Sequence, residues 1–223
     1  MLIQVNNLSY SYPRDFFSSS PAVLENIHFE VRSGEFLGVL GENGAGKTTF
    51  MDLLAGHKRP THGSVKINGE SAFEMRNKIG YISHDMVLKQ DITIAQYLDF
   101  HNKHFPKFNE TSAKHYLNFF KLDSNTMIGS LSTGFKKKVL SVAVFASNVE
   151  LILIDEITAV LDPRSRSQFF EVLLDLYKNH GKTIILATNI VEDLKARVEK
   201  IFLISDRQGT FHESGSIEHI FGV

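Results

Sequence analysis

The sequence predicts an α/β domain: a mainly parallel sheet, an antiparallel β subdomain on the N-terminal side and a helical lobe inserted in the middle. Three observations carry this. Short continuous apolar runs at 36–40, 151–154 and 183–188 have the length and composition of strands buried on both faces. They alternate with helical patterns near 46–55 and 164–179, the crossovers that parallel strands require. From about 84 to 149 the apolar positions recur at helical spacing with no clear strand among them.

Taken in order, Leu2, Ile3, Val5 and Leu8 open with strand composition, and 23–31 reads as a second strand after a polar insert at 14–21, taken as a loop. The run 35–40 ends at Gly41 and a helix follows from about 46 to 55, giving strand, glycine turn, helix. Residues 64–67 with the Asn68-Gly69 turn predict a hairpin edge, and 78–83 another short strand. In the helical lobe, Ile94, Tyr97, Leu98 and His101, then Tyr116, Leu117, Phe119 and Phe120, mark apolar helix faces. A buried strand at 151–154 runs into Asp155-Glu156; a helix at 164–179, a strand at 183–188 and a last strand at 200–205 complete the pattern. No internal repeat or heptad series breaks it, so 1–223 reads as one domain with the lobe, about 84–149, inserted in its core.

Composition excludes several function classes. The 24 Lys+Arg against 25 Asp+Glu leave no electrostatic footprint for nucleic acid. With no cysteine there is no disulfide scaffold, thiol nucleophile or Cys-ligated zinc. No apolar run approaches the roughly 18 residues of a spanning helix, and the N-terminus lacks the pattern of a secretory signal, so a cytoplasmic chain is expected.

The chemistry starts at Gly41-Glu42-Asn43-Gly44-Ala45-Gly46-Lys47-Thr48, which fits G-x-x-x-x-G-K-[ST] between a predicted strand and a predicted helix. Glycines let main-chain N–H groups turn inward and, with the helix N-terminus, hold phosphate oxygens. Lys47 would reach the β- and γ-phosphates of a nucleotide, with Asn43, Ala45 and Thr49 in the same cradle; the Thr48 hydroxyl would ligate Mg²⁺. Leu151-Ile152-Leu153-Ile154-Asp155-Glu156 is a second element: a buried strand delivers carboxylates to the sheet edge beside the cradle. Asp155 would hold Mg²⁺, and Glu156 would orient or deprotonate an attacking water.

With these motifs the chain resembles the ATP-binding domain of an ABC transporter over essentially its whole length, a P-loop NTPase core. The deciding segment is Leu131-Ser132-Thr133-Gly134-Phe135, which is similar to the family's L-S-G-G-Q signature and lies between the two nucleotide motifs as the family requires. The resemblance implies ATP and Mg²⁺ as cofactors, Tyr12 stacking on adenine, and Asp162 in the loop that aligns two subunits. It also implies a head-to-tail dimer, with the same chain or a relative, in which Ser132 and Gly134 of one subunit contact the γ-phosphate held by Lys47 of the other. The partner carrying the membrane helices would be a separate permease subunit, reached through the lobe near 84–105, placing the chain peripherally at the inner face of the membrane. Lys136, Lys137 and Lys138, after the signature, read mainly as a solvated helix face.

Four residues depart from the family pattern. His84 stands where the family has a Gln that contacts Mg²⁺ and water, and Asn189 where it has the switch His on the γ-phosphate; Phe135 and Ile157 replace a Gln and a Pro. An amide donates to phosphate but acquires no proton, so hydrolysis through Glu156 with His84 and Asn189 is expected to be slow. The short domain and the Leu-Ser-Thr-Gly form resemble the stand-alone ATPases of multi-component exporters, which gives export as the expected direction. The alternatives are a nearly non-hydrolysing regulatory subunit of an asymmetric pair and a soluble ABC ATPase that moves no cargo.

Overall fold

The computed structural model describes residues 2–13, 21–195, 197–213 and 215. The insert expected at 14–21 lies almost wholly outside the described residues. The chain opens with β1 (Leu2–Tyr10), β2 (Leu24–Arg32) and β3 (Phe36–Leu40), which leads into α1 (Lys47–Leu54). β4 (His62–Ile67), β5 (Glu70–Ser71), the single turn α2 (Ala72–Met75) and β6 (Ile79–Ser83) follow. Three helices come next, α3 (Ile94–His104), α4 (Glu110–Phe119) and α5 (Thr133–Ala146). The remainder is β7 (Leu151–Asp155), α6 (Pro163–Lys178), β8 (Thr183–Ala187), α7 (Val191–Leu194), β9 (Lys200–Ser205) and β10 (Gln208–Glu213).

Two sheets result. The first is antiparallel with order β2-β1-β4-β5, so β4 is an inner strand and only the two-residue β5 forms the edge expected of 64–67. The second has order β10-β9-β3-β8-β7-β6 and is parallel from β9 to β6. Its strands alternate between two apolar clusters, as a sheet covered on both faces must. Leu37, Val39, Leu151, Leu153 and Ile185 pack with α1 and the antiparallel sheet. Leu40, Ile152, Ile154, Ile184 and Leu186 pack toward α5 and α6.

Local sequence explains the helix starts. Thr93 and Gln96 form a reciprocal capping box on α3. Asp162 caps α6 with Pro163 in its first turn. Ser132 caps α5, whose second half, Val139 to Ala146, is entirely buried against α4 and the sheet.

One strand expectation is corrected: β9 is followed by β10, paired antiparallel from Gln208–Ser205 to Glu213–Lys200. The two-residue turn is Asp206-Arg207, both at positive φ (48° and 69°), a conformation usually announced by Asn-Gly or Asp-Gly. Gly209 leaves room for the Phe202 ring, which would lie 2.0 Å from a Cβ there. The pairing thus depends on a cross-strand fit that no local pattern displays.

Candidate functional site

Strand register gathers the site. Ser83 pairs with Asp155, Asp155 with Ala187, and Val39 with Ala187, so β6, β7, β8 and β3 end side by side. The residues that follow them, His84, Glu156, Thr188-Asn189 and the Gly41 loop, therefore share one sheet edge. His84 N–H bonds the Asp155 carbonyl at 3.1 Å and Glu156 N–H the Ala187 carbonyl at 3.0 Å, fixing where these segments leave the sheet. A cleft of about 530 Å³ opens there, lined by Tyr12, Asn43, Gly44, Gly46, Lys47, Thr48, Thr49, His84, Glu156 and Asn189. Ten of the sixteen residues expected at the nucleotide site line it; Gly41, Ala45, Asp155, Ser132, Gly134 and Asp162 do not.

The glycine turn has steric reasons. A Cβ on Gly41 would lie 2.6 Å from the Ile204 carbonyl oxygen, and Gly46 sits at φ 103° as the residue preceding α1. α1 has no side-chain cap, so its positive N-terminal end is presented to the cleft, an arrangement suited to an anion. Lys47 is 3 % exposed and its Nζ donates to the carbonyls of Gly41 (2.8 Å) and Glu42 (3.0 Å) while pairing with Glu156 Oε1 at 2.9 Å. The lysine is thus folded back on its own loop and held by the neighbouring carboxylate.

Asp155 is fully buried, and among the described residues neither carboxylate oxygen has a hydrogen-bond partner. Burial pushes its pKa up to about 6, with the charge of Glu156 adding to the rise, while the nearby Thr48 hydroxyl and His84 pull the other way. An unpartnered buried carboxylate is costly unless a cation satisfies it. The Asp155 carboxylate and the neighbouring Thr48 hydroxyl offer two oxygen donors suited to a hard divalent cation, with the nitrogen His84 Nδ1 3.7 Å from Oδ2; no cluster of three or more His, Asp or Glu side chains that could hold a metal occurs among the described residues. Glu156 itself adopts φ 50°, a left-handed conformation that costs a non-glycine residue roughly 1–2 kcal/mol. Asn189 Nδ2 donates to Asn43 Oδ1 at 3.0 Å, tying the β8 loop to the phosphate loop. The Tyr12 hydroxyl lies 2.9 Å from Thr49 Oγ1, and the residue is 46 % exposed, with Tyr10 edge-on to its ring at 5.2 Å and Lys58 Nζ 5.7 Å from the ring centre.

Ser132, Gly134 and Asp162 do not line this cleft. A Cβ on Gly134 would sit 3.3 Å from the Val160 carbonyl, so the signature and the loop before Asp162 abut each other. Ala45 faces the neighbouring hollow formed with Ala22 and Ile204 to Arg207. Of the three lysines after the signature, Lys137 is the one that leaves the solvated face, at 4 % exposed. Its Nζ donates to the carbonyls of Ser83 (2.9 Å), His84 (2.6 Å) and Met86 (3.4 Å), pinning α5 to the segment after β6. Sequence reasoning also missed Asp193, a buried carboxylate bonded to Thr158, Thr188 and Arg166. No spacing signal marks either one, because the partners of Lys137 and two of the three partners of Asp193 lie far along the chain.

Comparison with known proteins gives concordant results. The family model described as "ABC transporter" matches residues 24–159. The taurine import ATP-binding protein of Pelagibacter ubique is 31 % identical over 195 residues, 85 % of this chain and 74 % of that protein. The solved ATP-binding subunit of an ABC transporter superposes with a TM-score of 0.87 at 26 % identity, covering 100 % of this chain and 94 % of the other. A dimeric ATP-binding cassette in a post-hydrolysis state with ADP and Pi superposes at 0.82 with 21 % identity, covering 95 % and 98 %.

Proposed function

Because the chain belongs to the ABC transporter family as an ATP-binding subunit, we propose that the Lys47 cleft is where it binds and hydrolyses Mg²⁺-ATP. Members of this family couple ATP hydrolysis to transport, dimerise, and serve a membrane-embedded permease. Among the described residues no helix is long and apolar enough to cross a membrane, in keeping with a permease that is a separate subunit. The observation that carries the site assignment is the convergence of Lys47, Thr48, Asp155 and Glu156 at one sheet edge, with Lys47 and Glu156 already paired.

In this reading the main-chain amides from Gly41 to Thr48 and Lys47 hold the phosphates, and Tyr12 offers its ring to the base. Thr48, Asp155 and His84 would hold Mg²⁺, which supplies charge neutralisation at the phosphate oxygens when bound. Entering phosphate competes with Glu156 for Lys47, and the freed carboxylate accepts a proton from the water that attacks the γ-phosphorus as the bond to ADP breaks. Asn189 donates to a phosphate oxygen but cannot take up a proton, which sets the slow rate expected from the sequence. Ser132, capping α5, and Gly134, in its first turn, lie outside the cleft and serve the γ-phosphate held by a second subunit in a head-to-tail dimer aligned through Asp162.

The lobe at about 84–149 would transmit this closure to the permease, with the chain seated peripherally at the cytoplasmic membrane face. An apolar groove of about 520 Å³ between Met86, Leu88, Ile92, Tyr97 and Phe100 supports that assignment. Export is the direction favoured by the Leu131-Ser132-Thr133-Gly134 form. Import is the second reading, favoured by the relative named for taurine import. Transport by inside-out vesicles carrying the co-purified permease distinguishes them: ATP-driven uptake into such vesicles means export.

Glu156→Gln tests the site. Hydrolysis should fall by about 10² to 10⁴ while nucleotide affinity is kept or rises, because Lys47 loses its charged competitor. Unchanged hydrolysis would remove Glu156 from the role of base.

A further inference from the structure

Asp193 is 1 % exposed and lies on α7, outside every nucleotide motif. Its carboxylate is nevertheless shared among three segments. Oδ2 accepts from the Thr158 hydroxyl at 2.5 Å and the Thr188 hydroxyl at 3.3 Å. Oδ1 accepts from Arg166 through Nε at 2.6 Å and Nη2 at 2.5 Å. Each donor sits close to a residue of the proposed site. Thr158 is two residues beyond Glu156, and Thr188 directly precedes Asn189. Arg166 lies one turn into α6, its N–H on the Asp162 carbonyl at 2.9 Å. The strand side of the assembly is fixed as well: Thr188 N–H bonds the Val39 carbonyl at 3.1 Å and the Thr188 hydroxyl accepts from Ile190 N–H at 3.0 Å.

We propose that Asp193 is a positioning residue that sets the register of three loops, so that Glu156 and Asn189 are presented to the nucleotide in step with Asp162 facing the second subunit. The physical reason is directional. Charge-assisted bonds to a buried carboxylate are short and angle-dependent, and an ion held by three segments transmits their spacing rigidly. Glu156 sits in a left-handed conformation, which persists only where the surroundings over-determine it. Thr158, held by Asp193, supplies that restraint two residues downstream. Among the described partners of the carboxylate, Arg166 is the most exposed, at 29 %. A shift of α6 against a second subunit would therefore reach Asp193 through its guanidinium, and Glu156 from there.

The inference rests on the assignment of Glu156 as base, and the experiment separates the two. Steady-state hydrolysis, binding of a fluorescent ATP analogue and thermal melting are measured for Asp193→Asn, Thr158→Val, Thr158→Ser, the Asp193→Asn/Thr158→Val double variant and Glu156→Gln. The expected result is that kcat of Asp193→Asn falls about tenfold to a hundredfold at a temperature well below melting, the size of effect a sub-ångström to 1 Å misplacement produces. KM and analogue affinity should stay within about twofold. Thr158→Val should lose kcat in the same way and Thr158→Ser, which keeps the hydroxyl, should restore it; the double variant should be no slower than Asp193→Asn, as expected of residues acting through one contact. Asp193→Asn with unchanged kcat, a kcat loss matched by weaker analogue binding, or additive effects in the double variant would overturn the proposal. Should Asp193→Asn fail to fold, Thr158→Val against Thr158→Ser decides, since equal rates for that pair also overturn it. If Glu156→Gln alone retains hydrolysis, the assignment of the base falls, whatever Asp193 does.

Discussion

At the scale of single residues, the feature that organises the cleft is a lysine held between its own loop and a carboxylate. Lys47 binds two carbonyls and Glu156 at 3.0 Å or less, so at the proposed site nucleotide binding would be an exchange of partners around a cation that is already desolvated. Asn189 stands on the other wall and reaches the phosphate loop through Asn43 at 3.0 Å. A side chain at 189 therefore already spans the distance to the loop, and what asparagine lacks is a nitrogen that takes up a proton. Asn189→His is expected to raise kcat by about tenfold or more, within the range that a positioned acid–base group contributes, with KM for ATP little changed. The gain should grow as pH is lowered from 8 to 6.5, because imidazole titrates in that window and the amide does not. Steady-state hydrolysis across that pH range checks it; an unchanged rate at every pH would mean that position 189 makes no contact with the reacting phosphate.

At the scale of elements, α3 shows what helical spacing does and does not reveal. Its periodicity puts His101 on the apolar face with Ile94, Tyr97 and Leu98, and the fold indeed buries most of that ring. The ring lies parallel to Phe105 at 5.3 Å, accepts or donates one bond with the Tyr97 hydroxyl at 3.0 Å, and leaves Nδ1 buried with no partner among the described residues. Burial, helped by the charge of His104, pushes its pKa down to about 4. Below pH 6.5 the unfolded chain takes up a proton that the native helix refuses, so this histidine favours folding least at acid pH. Its full native advantage is present above pH 6.5 and is lost as pH falls toward 4. Between pH 7.5 and 5 the loss is about 2 kcal/mol, and His101→Phe, which keeps the stack, should remove that part of the acid limb in urea unfolding. An identical pH slope in the variant would show that the ring is protonated in the native state. The same contrast explains how legible the molecule is. The strand, turn and helix around Gly41 and the strand ending at Asp155-Glu156 depend on local pattern and stand where the sequence places them. The buried Lys137 and the Asp193 carboxylate depend on donors and acceptors dozens of residues apart meeting in space, and β10, although it pairs with the strand just before it, turns on Asp206-Arg207 and a Gly209–Phe202 fit that carry none of the usual hairpin signals.

At the scale of the whole molecule, the parallel sheet separates two apolar clusters, and the nucleotide cleft sits at the sheet edge where segments supported by both clusters meet. A ligand there binds only the folded chain, because the unfolded one has neither the glycine cradle nor the buried Asp155. Mg²⁺-ATP at about 100 times its dissociation constant should therefore stabilise the fold by about 2.7 kcal/mol. For a chain of this length that raises the melting temperature by roughly 5–10 °C. Removing Mg²⁺ with EDTA should cut the shift, since Asp155 and Thr48 then lose the cation that their geometry suits, and Lys47→Ala should abolish it. Dimerisation adds a further signature. In Glu156→Gln, where nucleotide stays intact, the melting temperature with Mg²⁺-ATP should climb with protein concentration, because two subunits then share the ligand and mass action favours the closed pair. With ADP no such dependence is expected, as the γ-phosphate that Ser132 and Gly134 would meet is gone. Differential scanning fluorimetry at three protein concentrations reads all of these arms, and a melting temperature indifferent to nucleotide would remove the Lys47 cleft from consideration as the ATP site.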